Sequence, residues 1–447
     1  MASGVATMVV NTAALAVGYP IYLHFLGYEQ YGVWLVLSTV LSLASLGNLG
    51  VSQAVMKLVA EEHGRNDVDA VHQYIMSAIG ILAISGTAVL GLIILLRTWI
   101  VSLFGLSQGN ADVALRLLPY IGGLSVYVLI GQSLNAALSG LGRMDLANYI
   151  QAIGKVVSVG LSAVLLWWGF KAESLVVGSV AAYLFIHVAS SFFIRRILHV
   201  PRCLSFRMSR SRMKRLIMFG SGVLGGGVAN VFLGAFIKLM LSRFAGVSTV
   251  PVYDIAFNGT VQVKTLVESA LRPFMPEISR LSGCGTLASL RRIRALNFAA
   301  LRLVAAVGLP LHVLLFVSAA ALLHVWLGDR CTPAVIPAFR LMLIVTFLML
   351  TATPAYHTLL GMGFSGAAFV SSVIIAGGNC ILVLVAMLLG KNPSVHSIFI
   401  GLIVVSLLSA AYLIGKTAKE TRIRWRAFHE LPDEQVSLNL EREVSHG

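Results

Sequence analysis

Residues 26–61 read LGYEQYGVWLVLSTVLSLASLGNLGVSQAVMKLVAE: a short exit from one apolar run, a full second apolar run, and a polar landing. No charge lies between Glu29 and Lys57. The stretch has an echo. Shifted by 219 positions, Gly27 and Trp34 become Gly246 and Tyr253, opening the segment AGVSTVPVYDIAFNGTVQVKTLVESALRPFMPEIS at 245–279. This second copy keeps the frame but carries Asp254, Lys264, Glu268 and Arg272.

The apolar runs set the solvent. Of 447 residues, 57% are hydrophobic and 11% charged, against about 25% charged in a soluble domain. Mean hydropathy is +0.87. Lipid cannot satisfy backbone polar groups, so the spanning elements must be helices or closed barrels. The runs are about 20 residues long and do not alternate, which selects helices. The expected class is an all-α polytopic membrane protein with about twelve spans, at roughly 4–26, 31–55, 74–96, 117–138, 149–170, 174–194, 216–241, 250–275, 298–323, 336–359, 366–389 and 396–415. The first span has no basic lead of the kind a cleaved signal peptide carries.

Charge tests the count. With the N-terminus inside, the cytoplasmic segments hold 21 Lys and Arg, the external ones 6, and the spans the remaining 6. Short loops rich in Lys and Arg stay in the cytoplasm, so twelve spans with both termini inside fit. The net charge of +15 therefore points to membrane topology and not to nucleic acid. The basic loop 195–215 divides the chain and is expected to sit against anionic lipid. A second echo supports the division: Gly140-Leu-Gly-Arg143 after the fourth span matches Gly361-Met-Gly-Phe364 after the tenth, shifted by 221. The expected organisation is a lobe at 1–200, a linker at 201–215, a second lobe at 216–415 and a cytoplasmic tail at 416–447. Parallel six-helix repeats of this kind are a transporter architecture.

Ionisable residues inside a bilayer are costly and usually face protein or a wet cavity. In the eighth span Asp254, Asn258, Gln262, Lys264, Thr265, Glu268, Ser269 and Arg272 fall within a helical arc of roughly 160°, opposite Ile255, Val263, Leu266 and Val267. Two readings stand. Lys264, Glu268 and Arg272, spaced by four, form a self-neutralising ladder; or this face is a cavity wall that contacts an anion or exchanges a proton, with Lys264 deepest and Asp254 and Glu268 as ion-coupling candidates. Lys155, Lys238, Arg302 and Arg340 are the other intramembrane cations. Snorkelling is their default, with Lys238 and Arg340 near outer ends and Arg302 near the inner end; Asp254, nearer the outer end, is open to simple solvation. Six cations against two acids would make a cavity cationic and suited to a diphosphate. Ser38, Ser42, Ser45 and Ser52 share one face of the second span, either as a lightly polar wall or as small-residue packing. The run GSGVLGGG at 220–227 lacks the Lys-Ser/Thr of a phosphate loop. The four cysteines are scattered, and no metal, cofactor or enzyme signature is present.

The segment LGxxxYGxW at 26–34, Gly47-Asn-Leu-Gly50, Val59-Ala-Glu61, GLGR at 140–143 and VYxxAF…RPFMPEISRL at 252–281 resemble the bacterial oligosaccharide-lipid flippases. These are the O-antigen and polysaccharide transporters of the multidrug/oligosaccharidyl-lipid/polysaccharide superfamily. The similarity covers about residues 4–415. It implies two six-helix lobes in a V around a central cavity, as in MATE transporters. It also implies translocation of a polyprenyl-diphosphate-linked oligosaccharide across the bacterial inner membrane, alongside a polysaccharide polymerase and a chain-length regulator. Where such proteins often carry an acid at the end of the seventh span, this chain has Lys238. A small-molecule exporter of the same superfamily and a membrane polysaccharide polymerase are the competing readings. The first should favour acids in its cavity, and the second needs a sizeable external loop.

Overall fold

The structure is a computed structural model and describes residues 2–48, 50–198, 209–223, 225–271, 274–284, 286–388 and 394–429. The described residues contain helices and no strand. In order the helices are α1 (Ala2–Ala44), α2 (Val51–Gly64), α3 (Val68–Leu95), α4 (Arg97–Leu103), α5 (Gln108–Gly140), α6 (Met144–Trp167), α7 (Glu173–Leu198) and α8 (Arg210–Val223). There follow α9 (Gly225–Met240), α10 (Thr249–Ser269), α11 (Phe274–Cys284), α12 (Leu287–Leu303), α13 (Leu309–Leu327), α14 (Val335–Gly361), α15 (Ser365–Leu388) and α16 (Val395–His429).

Among the described residues nine helices are long and apolar enough to cross a membrane. The number reconciles with twelve expected spans. The first of the nine holds two of them, with the chain turning at Gly27 (φ 67°, ψ 179°) inside α1. The expected spans 216–241 and 250–275 fall on α8–α9 and α10, which are not among the nine. Asp254, Lys264 and Glu268 give α10 three charges.

The second span is shorter than its hydropathy suggests. It stops at Ala44, and a 3-10 turn over Ser45–Asn48 follows. Asn48, the last residue of that turn, ties it to its neighbours: its Oδ1 accepts from the Ser52 amide at 2.9 Å, and its Nδ2 donates to Gln132 at 2.6 Å. Gly50 stands before α2 with φ 71°. A Cβ there would fall on the Gly220 carbonyl oxygen. In α2, Val51, Ala54, Val55, Leu58 and Val59 follow helical spacing on one face and are buried. They join Tyr74, Leu82, Leu138 and Leu216 in one core.

The duplication is visible in the backbone. Gly27 and Gly246 both have positive φ (67° and 90°), as do Gly142 and Gly363 (78° and 91°). After α5, the Arg143 amide bonds to Leu138 O and Gly142 to Ser139 O; after α14, Phe364 bonds to Leu359 O and Gly363 to Leu360 O. Each is a helix end closed through a left-handed residue, and the partners are offset by 221. The starts of α3 and α12 match as well: Asp67 accepts from the Ala70 amide, and Thr286, 219 residues later, from Ser289.

The chain clusters into two compact units. One holds Met1–Ala256, Ala320–Ala338 and Leu382–Ile398; the other holds Phe257–Ala319, Phe339–Ile381 and Phe399–Gly447. In the first, the end of the basic loop is engaged by protein and not left to lipid alone. Arg212 donates to Ala70 O at 2.7 Å, and Arg215 to the Tyr74 hydroxyl at 3.1 Å and to Glu61. Residues 199–208 of that loop and the tail 430–447 lie outside the described residues. In the second unit small separate cores form around Val267, Leu271 and Leu350, around Ile278 and Ile293, and around Ala355, Leu359 and Leu413.

Gly142→Ala and Gly363→Ala meet no neighbour within 4 Å and should each cost only the left-handed backbone penalty of about 1–2 kcal/mol. Gly50→Ala adds a clash with backbone and should cost clearly more. Thermal unfolding of the detergent-solubilised protein checks the order; equal losses at all three positions would contradict it.

Candidate functional site

The first unit holds a buried ion pair. A π-helical turn over Leu241–Ala245 and Gly246 reverse the chain between α9 and α10. Lys238, in the last turn of α9, thereby reaches Asp254, in the second turn of α10: Nζ lies 2.8 Å from Oδ1. Asp254 is 6% exposed. Its other oxygen, Oδ2, accepts a hydrogen bond from the Tyr19 hydroxyl of α1 at 2.6 Å. Charge-assisted bonds to both oxygens are what a desolvated carboxylate needs.

Aromatic rings cluster around Tyr19. Tyr19 meets Tyr31 and Trp326 edge-on, at centroid distances of 6.0 and 5.8 Å, and Tyr22 lies 5.6 Å from Tyr31. The Trp326 indole N–H donates to Ala16 O at 2.7 Å, which fixes the ring against α1. Lys155 on α6 is exposed and is attracted by the Asp254 charge. Two expectations are thereby corrected. Asp254 is not a solvated residue near a helix end, because α1 covers it. Lys238 does not snorkel, because its counter-ion lies across the turn.

The second unit holds the other pair. Lys264 Nζ lies 2.7 Å from Glu268 Oε2, one turn along α10, with side chains 16% and 27% exposed. His357 of α14 lies within the electrostatic reach of both. Its two ring nitrogens are buried, with no hydrogen-bond partner among the described residues. The Tyr356 hydroxyl also feels the Glu268 charge. Arg272, expected to extend the ladder, lies outside the described residues.

The remaining cations are held otherwise. Exposed Arg302 sits over the Phe298 ring of its own helix at 5.6 Å. Arg340 donates to Phe316 O at 3.1 Å and lies over the Phe316 ring at 5.4 Å. The serine face of the second span is internally satisfied: Ser38, Ser42 and Ser45 donate to Leu35 O, Ser38 O and Ser42 O.

Tyr19, Tyr31, Trp326 and His357 were not expected from sequence. Tyr19 stands in a charge-free apolar run, where the one signal is that a buried tyrosine hydroxyl needs a partner. His357 could have been found as a histidine inside a span, since such residues are rare in lipid.

Chemically, each pair is a lysine masked by a carboxylate. Arrival of a phosphate oxygen at the ammonium, together with protonation of the displaced carboxylate, would exchange one partner for another without leaving a bare charge in a low-dielectric site.

Three comparisons bear on this arrangement. A family model described as polysaccharide biosynthesis protein matches residues 24–336. No curated protein matches the sequence. Among solved structures, an inward-facing MATE multidrug transporter of the MOP superfamily is 14% identical, covering 94% of this chain and 95% of its own, with a TM-score of 0.72. The lipid II flippase MurJ in an inward closed conformation is 12% identical, with coverages of 95% and 89% and a TM-score of 0.72. A MATE transporter of Vibrio cholerae is 14% identical, with coverages of 93% and 95% and a TM-score of 0.61. At these identities the likeness is one of fold.

Breaking a buried pair from one side costs about 3–5 kcal/mol, because a charge is stranded. Lys238→Met should therefore lower thermal stability strongly, and Lys238→Met combined with Asp254→Asn should recover much of the loss. A double variant as unstable as the two single losses added together would show that the two residues are not coupled.

Proposed function

The chain belongs to the family of polysaccharide biosynthesis proteins, and from that membership we propose that it is a flippase for a polyprenyl-diphosphate-linked oligosaccharide. The family match over residues 24–336 carries this reading. The protein takes the lipid-linked sugar from the cytoplasmic leaflet of the bacterial inner membrane and delivers it to the outer leaflet by alternating access. Its working halves are 1–200 and 216–415, joined through 201–215, and the tail from 416 is cytoplasmic. The excess of Lys and Arg in the even-numbered loops supports this orientation. A polymerase and a chain-length regulator of O-antigen or a similar polysaccharide act on the delivered product.

The diphosphate is the group the lysines recognise. Lys264 leaves Glu268, and Lys238 leaves Asp254, when a phosphate oxygen takes the carboxylate's place. The displaced carboxylate takes up a proton, which makes Glu268 and Asp254 the coupling groups. When the diphosphate departs, the proton leaves and the internal pair re-forms. Arg272, Lys155, Arg302 and Arg340 add to the positive potential that draws the substrate in.

The fold likeness to MATE transporters favours a second reading, export of small molecules. Six intramembrane cations against two acids speak against a cationic drug as cargo.

Lys264→Ala is expected to abolish surface polysaccharide while protein level and membrane insertion remain normal. Immunoblots of whole-cell polysaccharide against a membrane-fraction blot read both. Normal polysaccharide in that variant would remove Lys264 from the mechanism. An altered drug-resistance profile with normal polysaccharide in a deletion strain would move the protein to the exporters.

A further inference from the structure

The short helix α4 separates two grooves of opposite character, both within the first unit. On one side is a cavity of about 380 Å³. Leu92, Trp99, Leu103, Phe104, Phe232 and Phe236 are among its lining residues, and none of the lining residues is charged. Its one hydroxyl, Thr39, is already committed to Leu35 O at 2.8 Å. On the other side is a groove of about 370 Å³ that contains Arg97, Thr98, Arg116 and Tyr120. Arg97 and Arg116 are both exposed. Arg116 forms a long ion pair with Glu173, at 3.9 Å, with both side chains open to solvent.

The wall between the grooves is built to stay in place. Arg243 holds the end of α4 by donating to Ser102 O at 3.0 Å and Leu103 O at 3.2 Å. Ser242 fixes the next residue through Phe104 O at 2.8 Å. Trp99 is 58% exposed, as indole rings are at the level of lipid headgroups. An apolar slot beside a pair of arginines, under an interfacial tryptophan, is complementary to an amphiphile with a phosphate head and a hydrocarbon chain.

We propose that this is a binding site for an anionic phospholipid of the bilayer, with one acyl chain in the slot and the phosphate against Arg97 and Arg116. The occupant is a bilayer lipid and not the transported one, for a reason of helical face. Phe232, Ala235, Phe236 and Leu239 line the slot at i, i+3, i+4 and i+7 of α9. Lys238 lies off that face and turns to Asp254. The slot therefore shares no residue with the charge pairs. The site ties α1, α3, α4 and α9 together through a lipid chain, so the lipid supports the unit in which the Lys238–Asp254 pair is held. The inference stands whether or not the flippase reading does.

Native mass spectrometry of the full-length protein, released from nanodiscs of equal phosphatidylglycerol and phosphatidylcholine, tests it. One phosphatidylglycerol should remain bound in preference to phosphatidylcholine. Arg97→Gln combined with Arg116→Gln, both exposed, should cut that retention by about tenfold or more. Ala235→Trp should block the slot and remove the adduct. Should Ala235→Trp fail to fold, the arginine variant decides alone. Equal retention of the two phospholipids, unchanged retention in the arginine variant, or displacement of phosphatidylglycerol by added undecaprenyl phosphate would each overturn the assignment.

Discussion

A charge without a partner is the most expensive thing a membrane-spanning helix can carry. The Lys238–Asp254 contact at 2.8 Å is this chain's main answer to that constraint, and much of the first unit is arranged around it. The π-turn and Gly246 bring α9 and α10 side by side. Tyr19 of α1 closes the second carboxylate oxygen, and Tyr31 and Trp326 pack edge-on against Tyr19. The Lys264–Glu268 contact at 2.7 Å meets the same constraint within a single helix turn. Pairs of this kind add little net stability, since desolvation cancels most of the attraction. What such a pair allows is exchange of either partner for a ligand of the same charge.

The duplicated frame explains where the charged pairs stand. The two copies share left-handed glycines, helix caps and helix-end hydrogen bonds at offsets of 219 and 221. They differ in what fills the frame. In the first copy the second span is uncharged, and its serines bond to carbonyls of their own helix. In the second copy α10 carries Asp254, Lys264 and Glu268. One copy keeps an apolar packing surface, and the other carries the groups that respond to charge. A glycine turn that recurs at the same place costs little to duplicate, whereas a buried charge requires a specific partner each time.

The frame was legible in the sequence because its signals are local. Apolar run length, Lys and Arg in loops, and glycines at fixed offsets do not depend on which helices touch. The Lys264–Glu268 pair was legible for the same reason, being four residues apart on one helix. The Lys238–Asp254 pair was not. Sixteen residues separate its members, and a turn of irregular geometry decides whether they meet. Position along a span suggested that both reach water, but depth says nothing about coverage by another helix, and α1 supplies that cover. Tyr19 and Trp326 were invisible because hydropathy counts an aromatic ring as apolar and ignores its polar tip. The early stop of the second span at Ala44 was missed because Leu46, Leu49 and Val51 keep the hydropathy high, while the 3-10 turn at Ser45–Asn48 and the left-handed Gly50 set the boundary.

The account rests on the buried lysine–carboxylate pairs being used in transport and not only tolerated. The most direct test is translocation of a fluorescent polyprenyl-diphosphate oligosaccharide in proteoliposomes, comparing the native protein with the form carrying both Lys238→Met and Asp254→Asn. That form has no stranded charge, so it should be folded and inserted. The account predicts that the native protein moves the lipid to the far leaflet and that the neutral form, though stable, does not. Translocation at the native rate by the neutral form would contradict it.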